Sequence, residues 1–244
     1  MDRLIVPVQV PRAIYPPARF VYRKLLHPVD SGIRIPNILG ERYIEYSFAI
    51  EHIPKGQGFA LDFGSGGSMM PLILARAGYD TIALDRIKQH FPWRHPRVSF
   101  IQADILEDRF EWNDHFDLIS NISTIEHVGL AGRFGVEQYE PDGDLLAMKI
   151  LHKWLKPGGM MILTVPVGKD AVFSPMARVY GKERLPKLMY GFHILFEDFW
   201  AKTDENNQWE GVSKEYALSV EADAGNPSAL ENYYAIGCFL MKKE

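Results

Sequence analysis

The sequence predicts an α/β fold, a doubly wound and mostly parallel sheet, and three observations carry that prediction. Short apolar runs, "FALDF", "TIALD", "VSFIQAD", "FDLISNI" and "MMILTVPV", recur along residues 59–167, as parallel strands covered on both faces would. Stretches with helical spacing separate them, and strand–helix–strand order implies right-handed crossovers. The glycine-rich "GSGGS" joins the first such strand to the first such helix, where a doubly wound sheet opens its ligand crevice.

Taken in chain order, residues 1–36 hold Pro7, Pro11, Pro16, Pro17, Pro28 and Pro36 with aromatic and basic residues between them. That composition predicts an N-terminal arm or lid, ordered only by lying on something else, followed by one domain over residues 37–244. The mixed aromatic and basic residues 20–25 leave contact with a membrane surface as the alternative to a packed arm or an oligomer contact. In residues 69–78, Met70, Ile73, Leu74 and Ala77 fall on one helical face, with Ser68 placed to cap the start and Gly78 to end it. In residues 144–156, Ala147, Ile150, Leu151, Trp154 and Leu155 continue such a face until "KPGG" breaks it. Two final strands, "FHILFEDFW" and "YYAIGCFLM", flank the polar residues 203–228, which read as an exposed excursion.

Composition narrows the function. A chain of 244 residues can bury a full core, and a net charge of −4 lacks the basic surplus that drives binding to phosphate backbones, so nucleic acid is a disfavoured partner. A single cysteine, Cys238, permits neither an intrachain disulfide nor a cysteine-based zinc site. No uninterrupted apolar run reaches spanning length, so the protein reads as cytoplasmic, with no integral membrane segment.

Glycine allows the main chain to approach a ligand closely, and a carboxylate at the end of the second strand can take ribose hydroxyls. Asp85 stands there, roughly twenty residues beyond Gly64. A dinucleotide fingerprint starting at Gly64 would need a small residue where Met69 stands, and a phosphate loop would need a lysine after the glycines.

Together these residues resemble the class I S-adenosylmethionine-dependent methyltransferases. "LDFGSGGS" is similar to their first motif, with Ser68 where the third glycine usually stands, and "IALD", "FIQADI", "FDLISNISTIEHV" and "LKPGGMMILTVP" follow in the family's order. The resemblance implies a Rossmann-like, seven-stranded sheet with an antiparallel C-terminal strand, and S-adenosylmethionine as cofactor, leaving as S-adenosylhomocysteine. It implies that Gly64, Ser65 and Gly66 face the methionine and ribose, that Asp85 with its neighbour Arg86 holds the ribose end, and that Asp104 and Ile105 recognise the adenine. Asp62 would hold the turn or the cofactor's amino group, and Asn121 and Ser123 would bring backbone carbonyls to the methyl group.

Transfer to a hydroxyl requires a proton acceptor, and His127, just beyond the fourth strand, is the candidate, with Glu126 either orienting it or acting as the base itself. No metal is required for that chemistry. The long connection "GLAGRFGVEQYEPDGD" offers Arg133, Tyr139, Asp142 and Asp144 to an acceptor, the two aspartates alternatively capping the next helix or holding a cation. Beyond the fifth strand, Lys169, Arg178, Tyr180 and Arg184 are further candidates, suited to a phosphate-bearing acceptor. "IEHVGL", "PDGD" and "RVYGKERLPKLMYGF" are loosely similar to a methyltransferase-like subgroup associated with bacterial surface-polysaccharide genes, which implies a saccharide or other small-molecule hydroxyl. Lipid, quinone or amine acceptors, a non-catalytic cofactor-binding protein and an NAD-dependent oxidoreductase remain as alternatives. A nucleic-acid amino methyltransferase typically shows N/D-P-P-[YFW] where this chain reads "NIST".

Overall fold

The computed structural model describes residues 41–91, 93–107, 110–202, 209–222 and 235–244. The expected arm of residues 1–36 lies outside them. Helix α1 (Arg42–His52) precedes β1 (Phe59–Phe63), α2 (Met70–Ala77), β2 (Asp80–Asp85), β3 (Val98–Gln102) and β4 (Phe116–Ile122). Helix α3 (Gly143–Trp154) leads to β5 (Leu155–Val167), the hairpin β6 (Ala171–Phe173) and β7 (Ala177–Val179), and α4 (Arg184–Leu188). The remainder is β8 (Phe192–Lys202), β9 (Trp209–Gly211), α5 (Lys214–Ala217) and β10 (Ala235–Lys243).

The main sheet has eight strands in the order β3-β2-β1-β4-β5-β10-β8-β9. Strands β1 to β5 run parallel, with Leu61 opposite both Ile82 and Ile119. The order reverses beside β1, so its carboxyl end opens a crevice. Strand β10 is antiparallel to both β5 and β8, Cys238 facing Thr164 on one side and Asp198 on the other. The antiparallel C-terminal strand thus has its expected place, and β9 raises the expected seven strands to eight. β9 lies within residues 203–228, read from sequence as exposed; Trp209, Ala217 and Val220 are buried, and the polar residues around them hide that anchoring.

Alternation along each strand divides the core between the two faces. Met161, Leu163 and Val165 of β5 join Trp154 and Leu151 of α3 on one face, while Ile162 joins Phe48 of α1 and Leu74 of α2 on the other. Because both faces are filled, the strands read as continuous apolar runs.

At the start of α2 the Ser68 hydroxyl accepts from the Met70 N–H at 3.1 Å, and Gly78 ends the helix in a left-handed conformation, φ 116°. A Cβ there would run into the Gly56 carbonyl. Helix α3 stops at Trp154, short of the expected residue 156, because Leu155 already pairs with Phe116 of β4. "KPGG" therefore lies within β5, where Gly158 at φ 76° accompanies a shift in register. No helix among the described residues is long and apolar enough to cross a membrane.

Candidate active site

A cavity of about 1220 Å³ opens at the carboxyl ends of β1, β2 and β4. On one side, the loop after β1 turns through Gly64 and Gly66 at φ 74° and 52°. A Cβ on Gly64 would collide with the Thr124 side chain, so glycine is needed there both for conformation and for close approach. A Cβ on Gly66 would meet only the Gly64 carbonyl, at 3.7 Å, so this part of the loop faces open space. Asp85 accepts the Gly66 N–H on Oδ2 and the Ile87 N–H on Oδ1, each at 2.8 Å.

Asp104 accepts the Leu106 N–H at 3.0 Å on Oδ1 and the Arg86 Nε–H at 2.8 Å on Oδ2. Arg86 also donates to the Phe134 carbonyl at 2.7 Å, tying the two sides of the cavity together. Buried Ile105 starts a short 3-10 turn, Ile105–Glu107, and lines the cavity beside Asp104. Asp62 and Ser65 also line it. Asp62 Oδ1 accepts from Ser120 at 2.6 Å, while its Oδ2 and the Ser65 Oγ are buried without a partner among the described residues. Burial pushes Asp62 up to about 7.

At the end of β4, Asn121 is fully buried with both side-chain polar atoms unpartnered among the described residues, and it does not line the cavity. Ser123 does line it, at φ 43°, and its hydroxyl donates to Glu45 Oε1, which also accepts from Thr164 Oγ1 at 2.7 Å. Arg42 donates to Glu45 Oε2 at 3.1 Å and, with Tyr46, lines the cavity. Sequence reasoning missed this α1 cluster. Its signal was a glutamate within the buried stripe Ile44, Glu45, Phe48 and Ala49.

His127 closes a second 3-10 turn, Ile125–His127, and lines the cavity. Its Nδ1 lies 2.6 Å from the Met176 carbonyl, which can only accept, so Nδ1 carries the proton and Nε2 a lone pair. Burial foremost, and then the Arg133 charge, lower its pKa to about 4. Glu126 does not line the cavity, and its Oε1 is 3.6 Å from His127 Nε2, too long for a hydrogen bond. Burial raises Glu126 to about 8, so it holds its proton at neutral pH. Both readings of Glu126 are therefore corrected: it is neither a cavity base nor the group that orients His127. Met176, which sequence reasoning did not single out, does the orienting.

Arg133 and Tyr139 line the cavity, but Arg178 and Tyr180 do not. Both are fully buried. Arg178 donates to the carbonyls of Val128, Glu140 and Pro141 at 2.6, 2.9 and 3.2 Å, fastening the loop after β4 from behind. Tyr180 donates to Asp144 Oδ2 at 3.0 Å, and Arg184 grips both oxygens of Asp144 at 2.9 and 2.6 Å. Arg178 and Tyr180 are thus corrected from acceptor contacts to internal fastenings. Asp144, paired to cations, is no cation ligand. Asp142 precedes α3 without a side-chain cap and accepts from Arg184 at 3.1 Å, and Lys169 pairs with Glu221 at 2.8 Å.

Solved structures share this architecture. The chain is similar to the N-methyltransferase NodS from Bradyrhizobium japonicum WM9, in complex with S-adenosyl-L-homocysteine, at TM-score 0.50 and 16% identity over 83% of this chain and 87% of that one. It is similar to the [4+2]-cyclase SpnF at TM-score 0.52 and 17% identity, over 82% and 80% of the two chains. The fold is that of the class I S-adenosylmethionine-dependent methyltransferases, a frame that also carries other chemistry. A ubiquinone biosynthesis O-methyltransferase of Rickettsia akari (strain Hartford) is 26% identical over 147 residues, 57% of this chain and 50% of that protein, so the chain spans about half the length of this curated relative. The pattern of the family described as "Caenorhabditis protein of unknown function, DUF268" matches residues 79–219, from just before β2 to just beyond α5. With more than half of its length so matched, the chain belongs to the DUF268 family.

Proposed function

We propose that this protein is an S-adenosylmethionine-dependent methyltransferase acting on the hydroxyl of a small-molecule or saccharide acceptor. The observation that carries the reading is one cavity with the glycine loop, Asp85 and Asp104 on one side and the free Nε2 of His127 on the other. The residues present fit the cofactor. Gly66 leaves room for it, the orphaned Asp62 Oδ2 and Ser65 Oγ can take its polar groups, and each Asp85 oxygen keeps a lone pair for a ribose hydroxyl. Arg86 supports Asp104 from the side, Ile105 offers an apolar surface to the adenine, and the backbone of Ser123 borders the methyl position, whereas Asn121 lies behind the cavity wall. The O-methyltransferase likeness and the S-adenosyl-L-homocysteine bound to NodS point the same way.

When bound, S-adenosylmethionine supplies an electrophilic methyl group and leaves as the neutral thioether. The chain's part is to hold the acceptor oxygen in line and to take its proton on His127 Nε2 as the new carbon–oxygen bond forms. Tyr139 and Arg133 border the acceptor. The division into an N-terminal arm or lid, residues 1–36, and a domain, residues 37–244, is part of this proposal, and the protein acts in the cytoplasm.

The test is transfer of labelled methyl from S-adenosylmethionine into fractionated extract, with His127→Ala beside the wild type. Label is expected in the saccharide or small-molecule pool, with a loss of about 10²–10⁴-fold in His127→Ala and unchanged S-adenosylhomocysteine affinity. Label confined to lipid or nucleic acid overturns the acceptor. Full turnover in His127→Ala removes the base.

A further inference from the structure

Three arginines, Arg42, Arg86 and Arg133, line the cavity. Arg42 is paired with Glu45 and Arg86 with Asp104, at 3.1 and 2.8 Å. Arg133 has no carboxylate partner among the described residues, although Glu137 and Glu140 of the same loop also line the cavity. Its guanidinium is nonetheless held in place. One nitrogen donates to the Met176 carbonyl at 3.1 Å, and the group lies over the Phe134 ring, 4.5 Å from its centroid. A guanidinium carries five N–H donors in a fixed fork, so most of them remain for a ligand. An anchored, uncompensated fork on a cavity wall matches a carboxylate or phosphate group.

The carbonyl that holds Arg133 also holds His127. An anion on the Arg133 fork is therefore next to the imidazole. We propose that the methyl acceptor carries an anionic group bound by Arg133, beside the hydroxyl whose proton passes to His127. This rests on the methyltransferase reading above and narrows its acceptor to anionic compounds.

The surroundings of His127 give the arrangement a second consequence. The charges acting on it are Arg133, Arg42 and Arg178, all lowering its pKa, while neighbouring Glu126 is kept protonated by burial. The Met176 carbonyl favours the charged ring but does not outweigh them. Burial lowers the pKa more than any of these charges, so without a ligand the imidazole is neutral and a weak proton acceptor. An anion on Arg133 offsets the charge that lowers His127 most and strengthens the base once the acceptor has arrived.

The test uses the full chain with ¹⁵N-labelled histidine, the His127 signal being assigned by its loss in His127→Gln. S-adenosylhomocysteine binding is measured first by calorimetry, and inorganic phosphate is then added at constant ionic strength, with chloride as the control. Phosphate is expected to move the His127 titration midpoint up by about one pH unit and to bind at least about tenfold more weakly to Arg133→Gln. In Arg133→Gln the midpoint should start higher and ignore phosphate. Arg133→Lys, which keeps the charge but loses the fork, should show part of the response. Intact S-adenosylhomocysteine affinity in both variants shows that they are folded. If S-adenosylhomocysteine binds but phosphate leaves His127 unmoved, or moves it equally in Arg133→Gln, the anionic acceptor is overturned and the methyltransferase reading stands. If S-adenosylhomocysteine does not bind the wild type, both fall.

Discussion

Asp85 and Asp104 on one side of the cavity, and His127 and Arg133 on the other, are held by partners at very different distances along the chain. Asp85 is fixed by N–H groups 19 and 2 residues away, and Asp104 by groups 2 and 18 residues away. His127 and Arg133 depend on a carbonyl 49 and 43 residues ahead, and Arg178 pins the same loop to β7 across 37 to 50 residues. The Asp85–Asp104 side is therefore completed within neighbouring strand–loop units. The His127–Arg133 side exists only once the β6–β7 hairpin has docked. One side can be altered while the other stays intact, and that separability is open to measurement.

The largest expected effect comes from Arg178→Met. The Arg178 Nε lies 3.6 Å from Asp144 Oδ1, both side chains fully buried. Removing one partner of a buried ion pair typically costs about 3–5 kcal/mol, and here the carbonyls of Val128, Glu140 and Pro141 lose their donor as well. Denaturant unfolding should show that loss while S-adenosylhomocysteine affinity in the folded fraction stays within about threefold. A parallel fall in affinity would mean that the two sides act as one unit. Asp85→Ala should do the converse. Hydrogen bonds to a charged group contribute about 1.5–3 kcal/mol, so calorimetry should find S-adenosylhomocysteine bound roughly ten- to a hundredfold more weakly, with little change in melting temperature. Affinity equal to wild type would remove Asp85 from the binding site.

The third effect is a slope with pH, small at any one step of pH. Glu126 titrates near 8 in the folded chain against an ordinary value of 4.5. Between those values the folded state keeps a proton that the unfolded chain has released, so stability falls as pH rises through this window. Glu126→Gln cannot titrate. Its melting temperature should gain steadily on that of wild type from pH 4.5 to 8, with cofactor affinity unchanged. Asp62 contributes a similar slope up to about 7 in both proteins, so the difference between them is the diagnostic quantity. A constant difference would place an ionised Glu126 in the neutral protein.

The same contrast explains what the sequence disclosed. The order of strands and helices, the glycine loop and Asp85 were legible because spacing over about twenty residues encodes them. Arg178 and Tyr180 were misread because their surroundings, Asp144 and the carbonyls of residues 128–141, come from a distant segment. Arginine and tyrosine look the same in sequence whether they face a ligand or fasten a loop. Glu45 was overlooked for a related reason. Helix α1 carries no motif, and only the tertiary fold brings its glutamate to Ser123 and Thr164. The early end of α3 reflects a contest between helical spacing and strand pairing at Leu155, which the Phe116 partner decides.

The position of β10 has a consequence for synthesis. It follows every other strand among the described residues, yet it lies between β5 and β8. While residues 235–243 are still within the ribosome, β5 and β8 each present an unpaired backbone edge, and their apolar side chains lack cover. Exposed edges of that kind are what chaperones shield and what aggregates recruit. The nascent protein can assemble its β1-to-β5 half early, but it must wait for β10 to join the two parts of the sheet.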